Sequence, residues 1–120
     1  MPLVHHELCF GCGRSNLFGL LLEAERQGDL LVGRCFIKQD HQGADVGRAH
    51  AGVVTAALTD AIELLAGPQA RIASFEVAIQ GPAPVGGFLE VTARRHRGGW
   101  VAEARADGVP VARARGRTGP

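Results

Sequence analysis

The sequence predicts an α+β fold in which one long apolar helix is wrapped by a curved antiparallel sheet of about six strands. Three observations predict it. Residues 49–66 form one helix-length run, in which Val53, Val54, Ala56, Ala57, Leu58, Ala61, Ile62, Leu64 and Leu65 spread around nearly the whole circumference. Shorter alternating runs flank it, two before and four after. Glycine-rich turn signals separate those runs. A helix that is apolar on every side must be covered on every side, and a flat sheet covers only one, so the sheet has to curl.

The elements follow in order. Residues 1–16 read as irregular, and include His5, His6 and the Cys9-Phe10-Gly11-Cys12-Gly13 stretch. Leu20 to Arg26 reads as a strand, Gln27-Gly28-Asp29 as a turn and Leu30 to Lys38 as the returning strand. In the second strand Leu31, Gly33, Cys35 and Ile37 share one face, which marks Cys35 as core. Residues 39–49 read as a loop, and the helix stops at Gly67-Pro68. Strands are expected over Arg71 to Gln80, Gly87 to His96, Trp100 to Ala106 and Val109 to Arg117. Arg97-Gly98-Gly99 and Asp107-Gly108 are hairpin turns, and Gly119 and Pro120 are expected to fray. One sheet around one helix is the hotdog arrangement. A helix packed on one side of a generic α+β sandwich is the alternative. The free sheet edges invite a second copy.

The 120 residues suit one domain, 1–120, with a core large enough to need neither disulfide nor metal. Hydrophobic residues make up 46% and charged residues 21%, the balance of a globular protein. A net charge of +1 and an absence of tyrosine argue against nucleic acid as a partner. Residues Met1 to Glu7 lack the pattern of a secretory leader, and the helix is too short and too interrupted by Asp60 and Glu63 to cross a membrane. Three cysteines, an odd number, suggest a reducing cytoplasm.

Several short motifs stand in a characteristic order: Cys9-Phe10-Gly11-Cys12-Gly13 with Asn16, Gly19 and Leu20; His41-Gln42-Gly43; His50-Ala51-Gly52; Gly81-Pro82-Ala83-Pro84-Val85-Gly86; and Asp107-Gly108-Val109-Pro110. With them the chain resembles the PaaI-like branch of hotdog acyl-CoA thioesterases from about Cys9 to Arg115. The resemblance implies a dimer or tetramer that takes a coenzyme A thioester between subunits, with no other cofactor. It implies hydrolysis by water, with a backbone N–H at the helix start stabilising the oxyanion. Ala51 or Gly52 would be that donor, and His50 would orient the loop or touch the thioester.

The resemblance also implies a carboxylate nine residues after the histidine, and this chain has Thr59 there. Asp60 lies about 100° further round the helix, and Glu63 lies one turn beyond Thr59 on the same face. Either is a candidate acid or base; otherwise Thr59 holds water alone and activity is poor. Gln42 or Asp45 is expected to help activate water, and Ser74 to contact substrate from the first strand after the helix. An arginine for coenzyme A phosphates is missing at Gly81, so Arg94, Arg95 or Arg97, or the alternating Arg113, Arg115 and Arg117, are the substitutes. The rival reading is a non-catalytic module that binds acyl-CoA or another small ligand. A hotdog hydratase would need a histidine–carboxylate pair, of which only His50 is present.

Cys9 and Cys12 are half of a zinc motif, with His5 or His6 and then His41 or His96 as possible further ligands. No second paired motif exists, so the expectation is no metal and a tight turn sealing one end of the helix.

Overall fold

The computed structural model describes residues 2–119, so Met1 and Pro120 lie outside the described residues. It has six strands and one long helix: β1 (Glu23–Gln27), β2 (Leu30–Phe36), α1 (Ala51–Ala66), β3 (Arg71–Ile79), β4 (Phe88–His96), β5 (Gly99–Ala106) and β6 (Val109–Gly119). A short 3-10 turn covers Gln39–His41 in the loop before α1. The strands form one sheet in the order β1-β2-β4-β5-β6-β3, antiparallel at every pairing. This is the hotdog arrangement.

Local chemistry accounts for the joints. Arg97 and Gly98, like Asp107 and Gly108, take positive φ at both central positions, as tight hairpins between right-twisted strands require. Gly119 does not fray but closes β6 against Arg71. The first strand starts at Glu23, not Leu20, for a specific reason. The N–H groups of Leu20 and Leu22 are taken by the carbonyls of Phe10 and Gly11, and Leu21 between them is left-handed with φ 52°.

The core is the inner face of the sheet against α1. Leu31, Cys35, Leu89, Val91, Ala102, Ala104 and Val111 meet Ala57, Leu58, Ala61 and Ile62, all nearly inaccessible to solvent. Cys35 is therefore core, and burial pushes its thiol pKa up to about 12. The helix is not enclosed on every side. Ala56, Thr59, Glu63 and Ala66, at helical spacing, form a half-buried stripe that the single chain leaves partly open.

Two of the six sheet strands are edges. β3 pairs only with β6, and β1 only with β2. No helix of the described residues is long and apolar enough to cross a membrane.

Candidate functional site

The start of α1 is built around His50. Its ring Nδ1 accepts the Gly52 N–H at 2.8 Å, so the neutral ring carries its proton on Nε2. Its carbonyl accepts the N–H groups of Val53 at 2.9 Å and Val54 at 3.3 Å. Its own N–H donates to the carbonyl of buried His41 at 2.8 Å, and a side chain at Gly43 would crowd it. Three of the first four helical N–H groups are thus satisfied. The fourth, on Ala51, has no hydrogen-bond partner among the described residues. It points out of the positive end of the helix dipole.

A groove of about 540 Å³ opens at this point, lined by Asp45, Arg48, His50, Ala51, Gln80 and Pro82 among others. The loop is folded into it by pairing of Arg48 with Pro84 and of Gln42 with Ala49. Neither the Asp45 carboxylate nor the Arg48 guanidinium has a partner among the described residues. Arg48 and Gln80 were not anticipated from the sequence. The only signal for Arg48 was its place two residues before the histidine. A larger concavity, about 720 Å³ around Ser74, Trp100, Arg113 and Arg115, shares no residue with this groove.

The structure brings His50, Ala51 and Asp45 together and disperses the other expected site residues. Gly52 spends its N–H on His50, which leaves the Ala51 N–H as the one without a partner in this turn. Gln42 is occupied at both ends, donating to the Gln39 carbonyl at 2.8 Å and accepting from the Gly47 N–H at 2.6 Å, so it shapes the loop. Thr59 lies on the half-buried stripe and donates its hydroxyl to the Ala56 carbonyl at 3.0 Å. Glu63 accepts the Ile72 N–H at 2.8 Å, fastening the start of β3 to the helix. Ser74 does not reach the helix start; it belongs to the larger concavity beside Arg115 and Arg117. Arg94 and Arg95 point to opposite faces of β4, as neighbours in a strand must. Arg94 approaches His96, and Arg95 stacks on Trp100 with its guanidinium 4.9 Å from the ring centre. Neither lines the groove. Arg113 and Arg115 pair with Glu103 and Glu76 on the sheet surface.

Asp60 departs furthest from expectation. It is 6% exposed, and its carboxylate meets the amino-terminal segment. Oδ1 lies 3.1 Å from His5 Nδ1 and accepts the Cys9 thiol at 3.3 Å. Cys12 lies 3.4 Å from the same His5 nitrogen. The Cys9–Cys12 turn therefore packs on the middle of α1 rather than sealing an end. This is possible because a Cβ at Gly11 would run into the Asp60 carboxylate. Burial pushes the Cys12 thiol up to about 12; a hydrogen bond from the His5 N–H opposes this, and the nearby Asp60 and Cys9 add to it. These four side chains are the one group able to hold a metal among the described residues. His6, His41 and His96 are elsewhere: His6 accepts the Leu8 N–H, His41 is buried under the loop and His96 is exposed on β4.

No protein-family model matches the sequence, and no curated protein is similar to it. Solved structures are similar to it in fold. The Escherichia coli PaaI protein of the phenylacetic acid degradation operon superposes with a TM-score of 0.74 at 17% identity, over 82% of each chain. A putative thioesterase, a phenylacetic acid degradation-related protein from Ralstonia eutropha, gives 0.71 at 22% identity over 81% of this chain and 83% of that one. A hypothetical thioesterase from Streptococcus pneumoniae, solved with coenzyme A, gives 0.68 at 16% identity over 81% and 83%. At these identities the likeness establishes the hotdog fold.

Proposed function

We propose that the groove at the start of α1 takes an acyl-CoA-type thioester and that this chain hydrolyses it, as a homodimer or tetramer. One observation carries the reading: an unpartnered helix N-terminal N–H, on Ala51, opens into a groove that also holds a free carboxylate and a free guanidinium. The thioester carbonyl oxygen sits at the Ala51 N–H, where the helix dipole favours the negative charge of the tetrahedral intermediate. Asp45, not the helix carboxylates, orients and deprotonates water at the carbonyl carbon. The C–S bond then breaks, giving a free acid, and the leaving sulfur takes up the proton to become the coenzyme A thiol. Arg48 offers its charge to the phosphates, where a planar guanidinium suits the oxygens. The fold likeness to a thioesterase solved with coenzyme A supports this ligand class. Pairing of the free β3 edges of two copies would bring the half-buried helix stripes towards each other.

A second reading has its own observation. The position that the family resemblance gives to the catalytic acid holds Thr59, and Asp60 and Glu63 are both engaged within the fold. The chain would then bind the acyl-CoA without turning it over.

The test is a panel of short, aromatic and long acyl-CoAs followed with a thiol reagent, alongside calorimetric binding and light scattering for oligomeric state. Turnover that falls in Asp45→Asn and persists in Glu63→Gln supports hydrolysis. Binding without turnover of any panel member selects the second reading. Neither binding nor turnover refutes both.

A further inference from the structure

We infer that His5, Cys9, Cys12 and Asp60 form a closed binding site for a tetrahedral divalent ion of zinc type, which clamps the amino-terminal segment to the middle of α1. The site is separate from the groove and shares no residue with it.

The first argument is geometric. Zinc bonds of about 2.3 Å to sulfur and about 2.0–2.1 Å to nitrogen and oxygen, at tetrahedral angles, place ligand atoms about 3.5 Å apart for sulfur with nitrogen or oxygen and about 3.3 Å for nitrogen with oxygen. Here Cys9 Sγ and Cys12 Sγ lie 3.5 and 3.4 Å from His5 Nδ1, Cys9 Sγ lies 3.3 Å from Asp60 Oδ1, and His5 Nδ1 lies 3.1 Å from Asp60 Oδ1. Each of these four edges, of the six in a tetrahedron, is within about 0.2 Å of its ideal length. The remaining ligand pairs fall within 4.8 Å.

The second argument is one of valence. Three heteroatoms crowd around a single ring nitrogen, His5 Nδ1, which has one lone pair or one proton. A hydrogen bond at Nδ1 can serve one of the three contacts; an ion at their centre is bonded to all the groups at once.

The third argument is the rigidity of the frame. The Cys9 carbonyl accepts the Gly13 N–H at 2.9 Å, which closes the turn, and the His5 N–H donates to Cys12 Sγ at 3.1 Å, which ties the two ligand residues together. Gly11 and Gly13 are places where a Cβ would strike the Asp60 carboxylate and the Cys9 backbone. The turn is pinned from outside by Leu20 and Leu22, whose N–H groups bond Phe10 and Gly11. Four protein ligands leave no open position, so the site is structural rather than catalytic. As four metal–ligand bonds form, the two thiol protons pass to water, and no redox change is involved.

The test uses the full chain, made without a histidine tag in zinc-supplemented medium. Elemental analysis is expected to find about one zinc per chain. Cobalt(II) exchanged into the site is expected to show thiolate-to-cobalt charge transfer in the near ultraviolet and tetrahedral ligand-field bands in the visible. Cys9→Ser and Cys12→Ser are each expected to weaken binding by more than the roughly ten- to hundredfold loss typical of outer-sphere partners. Asp60→Asn, which preserves shape, is expected to keep the thiolate band and shift the ligand-field bands. A chain with neither zinc nor a cobalt spectrum overturns the inference. So does a Cys9–Cys12 disulfide found by mass spectrometry in freshly prepared protein, or zinc retained at full affinity by both serine variants. The acyl-CoA assay is independent: its failure leaves the metal result untouched, and the reverse holds.

Discussion

Replacing Ala51 with proline isolates the proposed oxyanion donor, because proline at this position removes one N–H and almost nothing else. Ala51 is the first residue of α1, where proline is favoured because its missing donor has no helical acceptor. His50 before it has φ −60° and ψ 140°, the extended conformation that a residue preceding proline adopts. The Ala51 N–H has no partner to lose, while the bonds from Gly52, Val53 and Val54 back to His50 all survive. Stability is therefore expected to stay level or rise by about 0.4–1 kcal/mol through a stiffer unfolded chain. Catalysis is expected to drop by about 10²–10³ in kcat, or about 2.7–4 kcal/mol of transition-state stabilisation. If the chain only binds its ligand, the loss is that of one hydrogen bond, about 0.5–1.5 kcal/mol in affinity. The assay is thiol release from the best acyl-CoA, with helix content and urea unfolding measured on the same samples. Ala51→Gly, which keeps the N–H, is the reference. A proline variant that is folded, as stable as its parent and unimpaired in both turnover and binding would refute the assignment.

Three further outcomes follow from the packing. Gly11→Ala forces a methyl against the Asp60 carboxylate and is expected to cost about 1–3 kcal/mol in urea unfolding. Leu58→Ala empties space under the sheet at a fully buried position and is expected to cost about 2–5 kcal/mol. Cys35 has its thiol pKa raised from 9.0 to about 12 in the fold, so its contribution is complete below pH 9 and is lost as pH rises towards 12. By linkage a loss on the order of 1 kcal/mol falls between pH 7 and pH 10, and Cys35→Ala is expected to flatten that part of the stability profile.

The parts of the fold that were legible in sequence are those set by local chemistry. The central helix, the alternation of β2 and the two positive-φ hairpins at Arg97 and Asp107 are all nearest-neighbour effects, and they appear where the pattern places them. Leu20 to Leu22 looked like strand because they are apolar, but their N–H groups are claimed by Phe10 and Gly11, a pairing that no periodicity reveals. The same holds for the site. His50 and Ala51 were legible because a helix start is a local event. Asp60 was not, because its partners His5, Cys9 and Cys12 reach it only through a close approach at Gly11, far away in sequence. The sequence offered Asp60 as a catalytic acid and the cysteine turn as a plug, and gave no sign that the two would meet. Arg94 and Arg95 were offered by the sequence as alternative phosphate ligands; strand geometry puts them on opposite faces, and neither lines the groove.

The order of the strands has a consequence for how the chain is made. β3 emerges from the ribosome directly after the helix, yet among the described residues its only strand partner is β6, the last of these six strands to be synthesised. Until then the apolar side chains Phe75 and Val77 have no sheet to join, and one flank of the helix lies open. The groove is also unfinished, since Gln80 and Gly81 are held by the Val111 carbonyl, at 2.7 and 3.1 Å. The chain must therefore pass through an aggregation-exposed stage that closes only when its final strand docks. Truncating the chain within β6 would strand the molecule at that stage, with a formed helix and an unfinished groove.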